Sequence, residues 1–253
     1  MESTWLEEYV LLVFDRVDST NLEAKRLISN GVKDKCVVVA YEQHQGRGKN
    51  NSFWYSPSGN LYLSIFFEHK GELKEASQIS LVAGLACCKA INTFLNSSNS
   101  QAKMKWPNDL LINGKKFCGI LVESLNNFLV KEAAQANYLI VGMGINLTQS
   151  PKYLTYQATS LSEEHINYMN ANEVLARFME HFHAYYKLWL AKGFRSLRDE
   201  WMSHAYNIGK KIACKVGEQN IAGLFKEIDQ DGRLVVELET GDVYKMSSAE
   251  VFF

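Results

Sequence analysis

Four short stretches of this chain carry side chains able to act on an anion. The first is "EQHQGRGKNNSFW", residues 42–54, where Arg47 and Lys49 stand among two glycines and two asparagines. Cations on such a backbone attract phosphate or carboxylate, and glycines let main-chain N–H groups approach it closely. The second is "KWPNDLLINGKKFCGILVE", residues 105–123. Pro107, Asn108 and Asp109 favour a turn, and "NGKK" reads as a tight hairpin that puts Lys115 and Lys116 at the start of a strand. Strand side chains alternate, so one of the two lysines faces the core side. A lysine there needs an anion, either Asp109 or a ligand. The third is "VDSTN", residues 17–21, where Ser19 and Thr20 suit a helix N-terminus that can also bind a polar ligand group. The fourth is "GMGIN", residues 142–146.

Neither glycine stretch has the spacing of a phosphate-binding Walker loop, and neither has the third glycine of a dinucleotide fingerprint. Read alone, "GRGKNNSFW" is equally a solvated hairpin with ordinary surface charges. Lys116 is equally a structural partner for Asp109.

The elements that must position these residues are legible. "YVLLVFDRV" (9–17) reads as a buried strand, followed by a helix with Thr20 as N-cap, Glu23 completing a capping box and Gly31 at the C-terminal end. "CVVVAYEQ" is a second strand. "NLYLSIFFE" is a third, with Leu61, Leu63, Ile65 and Phe67 on one face. Residues 74–95 predict a long helix, apolar around much of its circumference, lying across the sheet. "AKMKWP", "FCGILVES" and "NYLIVGMGINL" are further strands, and residues 148–169 are polar and irregular. An amphipathic helix follows, with Asn170 and Glu173 as its capping box and Val174, Phe178, Phe182 and Trp189 on one stripe. A short helix ends near Tyr206. From Asn207 the apolar runs shorten and turn signals recur ("GEQN", "DQDG", "ETGD"), which predicts a small β-barrel. The expected division is residues 1–206 and 207–253.

Composition narrows the function. The chain has 253 residues, 47% of them hydrophobic, and a net charge of -1 with no long basic block, which argues against a nucleic-acid surface. The N-terminus lacks the pattern of a signal peptide, and no apolar run approaches the roughly 20 residues that span a bilayer. Cys36, Cys87, Cys88, Cys118 and Cys214 form no C-x-x-C pair and read as buried thiols of a reducing, cytoplasmic compartment. His181 and His183, two apart on a helix, point to different faces and make poor metal ligands.

Taken together, "VDSTN", "GRGK…W.SP.GNLYLS", "KWPNDLL…KKFCGILVE" and "VGMGIN" fall in the order and at the spacings of a biotin–protein ligase. The resemblance is dense over residues 14–148 and looser beyond. It implies an α+β fold: a mixed sheet flanked by helices, like that of class II aminoacyl-tRNA synthetases, followed by an SH3-like β-barrel. It also implies the monofunctional form, without an N-terminal DNA-binding domain.

The resemblance implies a two-step reaction. Biotin and ATP give biotinyl-5′-adenylate and pyrophosphate. A lysine of a carboxylase's biotin carboxyl carrier domain then takes the biotinyl group and AMP leaves. By similarity, Ser19, Thr20, Asn21, Gln43, Gly46, Arg47, Lys116 and Gly119 line the biotin side. Arg47, Gly48, Lys49, Trp54, Lys116 and Asn146 line the ATP side. Lys116 and Arg47 are the catalytic cations, and Asp109 orients or deprotonates the incoming amine. Mg²⁺ is expected on the phosphates rather than in a protein cage. No nucleic-acid or membrane partner is expected, and pairing through sheet edges would give a homodimer. Loop 46–54 is expected to be mobile and to close over the adenylate. The loop departs from the usual pattern at Ser52, where many members carry a second arginine. The rival readings are a lipoate–protein ligase and a silent SH3-type interaction protein on a ligase fold.

Overall fold

Hydrophobic alternation and β-branched runs build two sheets in this computed structural model, which describes residues 4–71, 75–95, 100–127, 136–152, 156–166 and 170–252. The large sheet contains β1 (Val10–Val17), β2 (Cys36–Gln43), β3 (Leu61–His69), β4 (Ala102–Lys105), β5 (Asp109–Ile112), β6 (Lys115–Asn127) and β7 (Ala136–Ile145). Its order is β1-β2-β3-β7-β6-β5-β4. β1 and β2 run parallel, joined by the crossover helix α1 (Thr20–Ser29), and every other pair is antiparallel. The fold is therefore α+β with a mixed sheet, as expected.

β3 lies inside the sheet between β2 and β7 and is buried on both faces. Leu61, Leu63, Ile65 and Phe67 point to the face covered by α2 (Ala76–Asn92) and α3 (Ala171–Lys192). Phe66 points the other way and packs with Ala24 and Ile28 of α1. α2 is apolar all round because it lies between the sheet and α3. It begins at Ala76, and residue 74 of the expected span lies outside the described residues. The stripe Val174, Phe178, Phe182 and Trp189 is buried as expected. Asn170 caps α3 by accepting from Asn172 N–H at 3.0 Å, so the bond of a full capping box to Glu173 is replaced by one to its neighbour.

Three local readings need correction. β1, expected to be buried, is an edge strand with Val10, Leu11 and Val13 exposed. The N-cap of α1 is Ser19, one residue before Thr20, and it makes no side-chain cap bond. β5 is a separate strand of four residues, too short to carry a periodic signal. The "NGKK" hairpin is as read, with Asn113 at φ 52° and Gly114 at φ 77°, the left-handed pair that a two-residue turn demands.

The edge strand β4 is covered by the segment after α4 (Arg198–Ser203). Met104 N–H donates to His204 O and Tyr206 N–H to Met104 O, both at 2.8 Å. Beyond it, β8 (Lys211–Val216), β9 (Gln219–Ile228), β10 (Leu234–Glu237), β11 (Val243–Met246) and β12 (Glu250–Phe252) form an antiparallel sheet ordered β11-β10-β9-β8-β12. The turn before β10 docks on the large sheet: Trp106 Nε1 donates to Gly232 O at 3.0 Å. The five cysteines are free and buried.

Candidate active site

Three glycines cut a trough into the α1 face of the large sheet. Gly119 on β6 pairs with Gly144 on β7, and Gly142 pairs with Leu121 two residues along. A Cβ at Gly144 would lie 2.2 Å from Trp54 Nε1, and one at Gly119 would lie 2.8 Å from the same ring. A Cβ at Gly142 would lie 2.1 Å from Asn21 Oδ1. The missing side chains leave room for close approach from above. Asn21 occupies one end of the trough and the Trp54 indole the other.

At the α1 end the polar groups are wired together. Gln43 Oε1 accepts from Thr20 N–H at 2.9 Å, so β2 caps the helix from across the site and replaces the local cap. Gln43 Nε2 donates to Ser56 Oγ at 2.9 Å, and Ser56 Oγ donates to Trp54 O at 2.9 Å. Ser64 Oγ lies 2.7 Å from Thr20 Oγ1 and 2.6 Å from Asn21 Oδ1. Ser19, Thr20, Asn21 and Gln43 are all buried, and the fold brings these four expected residues together.

Glu123 anchors the same end and was not singled out from the sequence. Its carboxylate accepts from Lys25 Nζ at 2.7 Å, from Asn21 Nδ2 at 2.8 Å and from Arg47 Nη1 at 3.2 Å. Burial alone would raise its pKa, but the hydrogen bonds from Lys25 and Asn21 hold it below the ordinary glutamate value. Period-2 spacing puts Gly119, Leu121 and Glu123 on one strand face, and i,i+4 spacing stacks Asn21 and Lys25 on α1. That was the available signal. Arg47 is thus engaged by Glu123 and not by the Lys116–Asp109 pair.

The other end is built around Lys116. A bulge in β6, where Leu110 pairs with Cys118 but Leu111 with Lys116, turns Lys116 to the face of Gly119, where Nζ meets Asp109 Oδ1 at 2.7 Å, while Lys115 reaches Glu164 at 3.0 Å. Burial pulls the Lys116 pKa down, but the charge and hydrogen bond of Asp109 outweigh it and raise the pKa above the usual lysine value. Lys116 therefore stays charged at neutral pH. Its ammonium lies 5.3 Å from the ring centroids of both Trp54 and Tyr156, within cation–π range. Asn146 Nδ2 donates to Thr159 O at 3.0 Å, whereas Asn146 Oδ1 and Trp54 Nε1 are buried with no hydrogen-bond partner. A cavity of about 60 Å³ remains between Trp54, Lys116, Asn146, Pro151, Tyr156 and Ala158. Ligand clefts are roughly 300 Å³ or larger, so this space is smaller than a ligand site as it stands.

The loop between the two ends is a short hairpin. Trp54 N–H donates to Gly46 O at 2.9 Å and Gly48 N–H to Ser52 O at 2.8 Å. Neither glycine is in the left-handed region; at Gly46 a side chain would collide with backbone, whereas at Gly48 it would meet only the rotatable Ser52 hydroxyl. A Cβ at Gly46 would lie 2.3 Å from Trp54 O, and one at Gly48 would lie 2.4 Å from Ser52 Oγ. The space at Gly46 is thus filled by the loop's own return strand, not reserved for a ligand ring. Lys49 is exposed on the loop, and Asn50 Nδ2 reaches Glu250 Oε1 on β12 at 3.4 Å. Among the described residues no group of three His, Cys, Asp or Glu is placed to hold a metal ion.

Comparison with known proteins gives a consistent picture. Residues 13–146 match the biotin/lipoate A/B protein ligase family, and residues 208–253 match the biotin protein ligase C terminal domain. A biotin–[acetyl-CoA-carboxylase] ligase of Paracoccus denitrificans is 31% identical over 243 residues, spanning 94% of this chain and 98% of that protein. The bifunctional ligase/repressor BirA of Bacillus subtilis is 30% identical over 246 residues, spanning 95% of this chain and 73% of that protein. A biotin protein ligase from Aquifex aeolicus, solved in complex with biotin and ATP, superposes with a TM-score of 0.79 at 27% identity. That match covers 96% of this chain and 97% of the other.

Proposed function

This chain belongs to the biotin/lipoate A/B protein ligase family, and from that premise we propose that it activates biotin with ATP and transfers it to a lysine of a biotin carboxyl carrier domain. In the first step a biotin carboxylate oxygen attacks the α-phosphorus of ATP, the bond to the β-phosphate breaks, and pyrophosphate leaves. In the second the amine attacks the acyl carbon, an amide forms, and AMP leaves with the electrons of the broken anhydride bond.

The observation that carries this reading is the half-buried Lys116–Asp109 pair at the foot of a glycine-lined trough. The first step brings two anions together, and a fixed cation between them lowers that barrier. Lys116 is held charged by Asp109 until substrate anions take over its ammonium. Asp109 is then free to receive the proton of the incoming amine, which ordinarily holds it up to a pKa near 10.4. Asn21, Gln43 and the α1 N-terminus form the biotin end. Trp54, Lys49 and Asn146 form the nucleotide end, where the unpaired Asn146 oxygen suits a ligand donor. Mg²⁺ would be held by the phosphates, since the nearby carboxylates are engaged by lysines and an arginine.

We take residues 1–206 as the catalytic unit and 207–253 as an appended one that meets the loop through Glu250. Incubation with ATP, labelled biotin and a carrier domain tests the proposal: label should appear on the carrier, with AMP and pyrophosphate released in equal amounts. Transfer of lipoate in place of biotin would overturn it.

A further inference from the structure

Glu123 is the one carboxylate in the trough region that contacts three donors from two other elements. Oε1 takes Lys25 Nζ at 2.7 Å and Arg47 Nη1 at 3.2 Å, and Oε2 takes Asn21 Nδ2 at 2.8 Å and Arg47 Nη1 at 3.4 Å. Its side chain is 17% exposed, against 28% for Lys25 and 32% for Arg47, so the pairs are shielded more than surface pairs are. The three charges sum to one net positive charge beside a trough proposed to take an anionic substrate. Asn21 is held on its other side by Ser64 at 2.6 Å and sits directly over Gly142. A movement of Glu123 would therefore move both the floor contact at Gly142 and the first residue after Gly46.

We infer that Glu123 is a positioning residue for the acid substrate: it acts through Arg47 and Asn21 to fix the α1 end of the trough before any ligand arrives. This rests on the reading of the site as a biotin- and ATP-using one. Groups held in place beforehand spare a ligand the cost of ordering them. The effect should therefore fall mainly on biotin binding, with a smaller one on nucleotide binding, since Arg47 is expected on that side as well. Lys25 contributes by keeping the carboxylate ionised and aimed.

The test is Glu123→Gln, which can still accept from Asn21 through one oxygen but loses the charge that holds Lys25 and Arg47. Biotin Kd, by calorimetry on the full chain, should rise about tenfold, the scale of a lost charge-assisted hydrogen bond. ATP Kd should rise by less than biotin Kd, since of the groups expected on the ATP side only Arg47 touches Glu123. In an Arg47→Ala background the same substitution should cost markedly less, since the two share one interaction. Glu123→Asp keeps the charge with shorter reach, so its biotin affinity should lie between wild type and Gln, and it carries the test if Gln does not fold. Unchanged biotin affinity in both variants overturns the inference. So do parallel losses of biotin affinity, ATP affinity and Tm, or full additivity with Arg47→Ala. Wild-type protein that binds no biotin overturns the functional reading as well.

Discussion

The two ends of the trough differ in how finished they are. At the α1 end Thr20, Asn21, Gln43, Ser64 and Glu123 satisfy one another, and the arginine of the loop is already tied in. At the Trp54 end two buried polar atoms have no partner, and an indole occupies the space above the Gly119–Gly144 pair. Unpaired buried groups cost stability. On the proposed function a bound ligand would pair with them. One end is thus already satisfied internally, and the other is expected to rearrange as it fills. This implies that substitutions at the Trp54 end should act on the chemistry and on nucleotide binding, while those at the α1 end should act on recognition of the acid.

The largest effect should come from Lys116→Ala. One charge-assisted contact at the reacting centre is worth about 3 kcal/mol, on the order of a hundredfold in the rate of adenylate formation. Near-wild-type pyrophosphate release would remove Lys116 from its role. Because the substitution strands Asp109, thermal unfolding of Lys116→Ala/Asp109→Asn should be compared alongside to separate stability from catalysis. Asp109→Asn alone should slow transfer to the carrier more than adenylate synthesis, by up to about a hundredfold for loss of a general base. Single-turnover measurement separates the two steps, and equal losses in both would exclude the base role.

Gly144→Ala tests the indole's position. The added methyl would meet Trp54 Nε1 at 2.2 Å, so ring or strand must shift. Overpacking of this kind costs about 1–3 kcal/mol. Urea unfolding of the ligand-free protein should show that loss in the wild-type background and little of it in Trp54→Ala. Equal losses in both backgrounds would mean that the ring does not rest on Gly144.

Much of this arrangement was legible in the sequence, and the exceptions share a cause. Alternation allowed either lysine to turn inward and the bulge in β6 selects Lys116, whereas the Asn-Gly hairpin and the buried face of β3 follow from neighbours one to four residues apart. The cap of α1 did not, because its acceptor, Gln43, lies 23 residues away on another strand. The partner of Arg47 did not, because Glu123 is 76 residues away. Gly46 also serves close packing, against Trp54 O inside a hairpin, which composition does not reveal. Motif order carried the family. The Lys116–Asp109 pair was already one reading of the hairpin, whereas the Arg47–Glu123 pair depends on the sheet register and was not.

The smallest effect expected is at Ser52. It is exposed, its N–H donates to Lys49 O at 3.0 Å, and its hydroxyl lies over the bare face of Gly48. The ligase resemblance implies an arginine there, and a lysine such as Lys49 meets phosphate as a point charge without a guanidinium's two-pronged geometry. The nucleotide end should therefore hold ATP weakly until the acid substrate is in place. Ser52→Arg should tighten ATP binding by about 1 kcal/mol, the low end for a charge-assisted hydrogen bond, and leave biotin affinity unchanged. The exposed position gives the longer side chain room, so no loss of Tm should accompany it. Titration with ATP, with and without biotin, separates the possibilities. A gain seen only without biotin would mean that bound biotin already orders the loop. No gain in either case would mean that position 52 faces away from the phosphates, and that the hairpin's nucleotide face is carried by Lys49 alone.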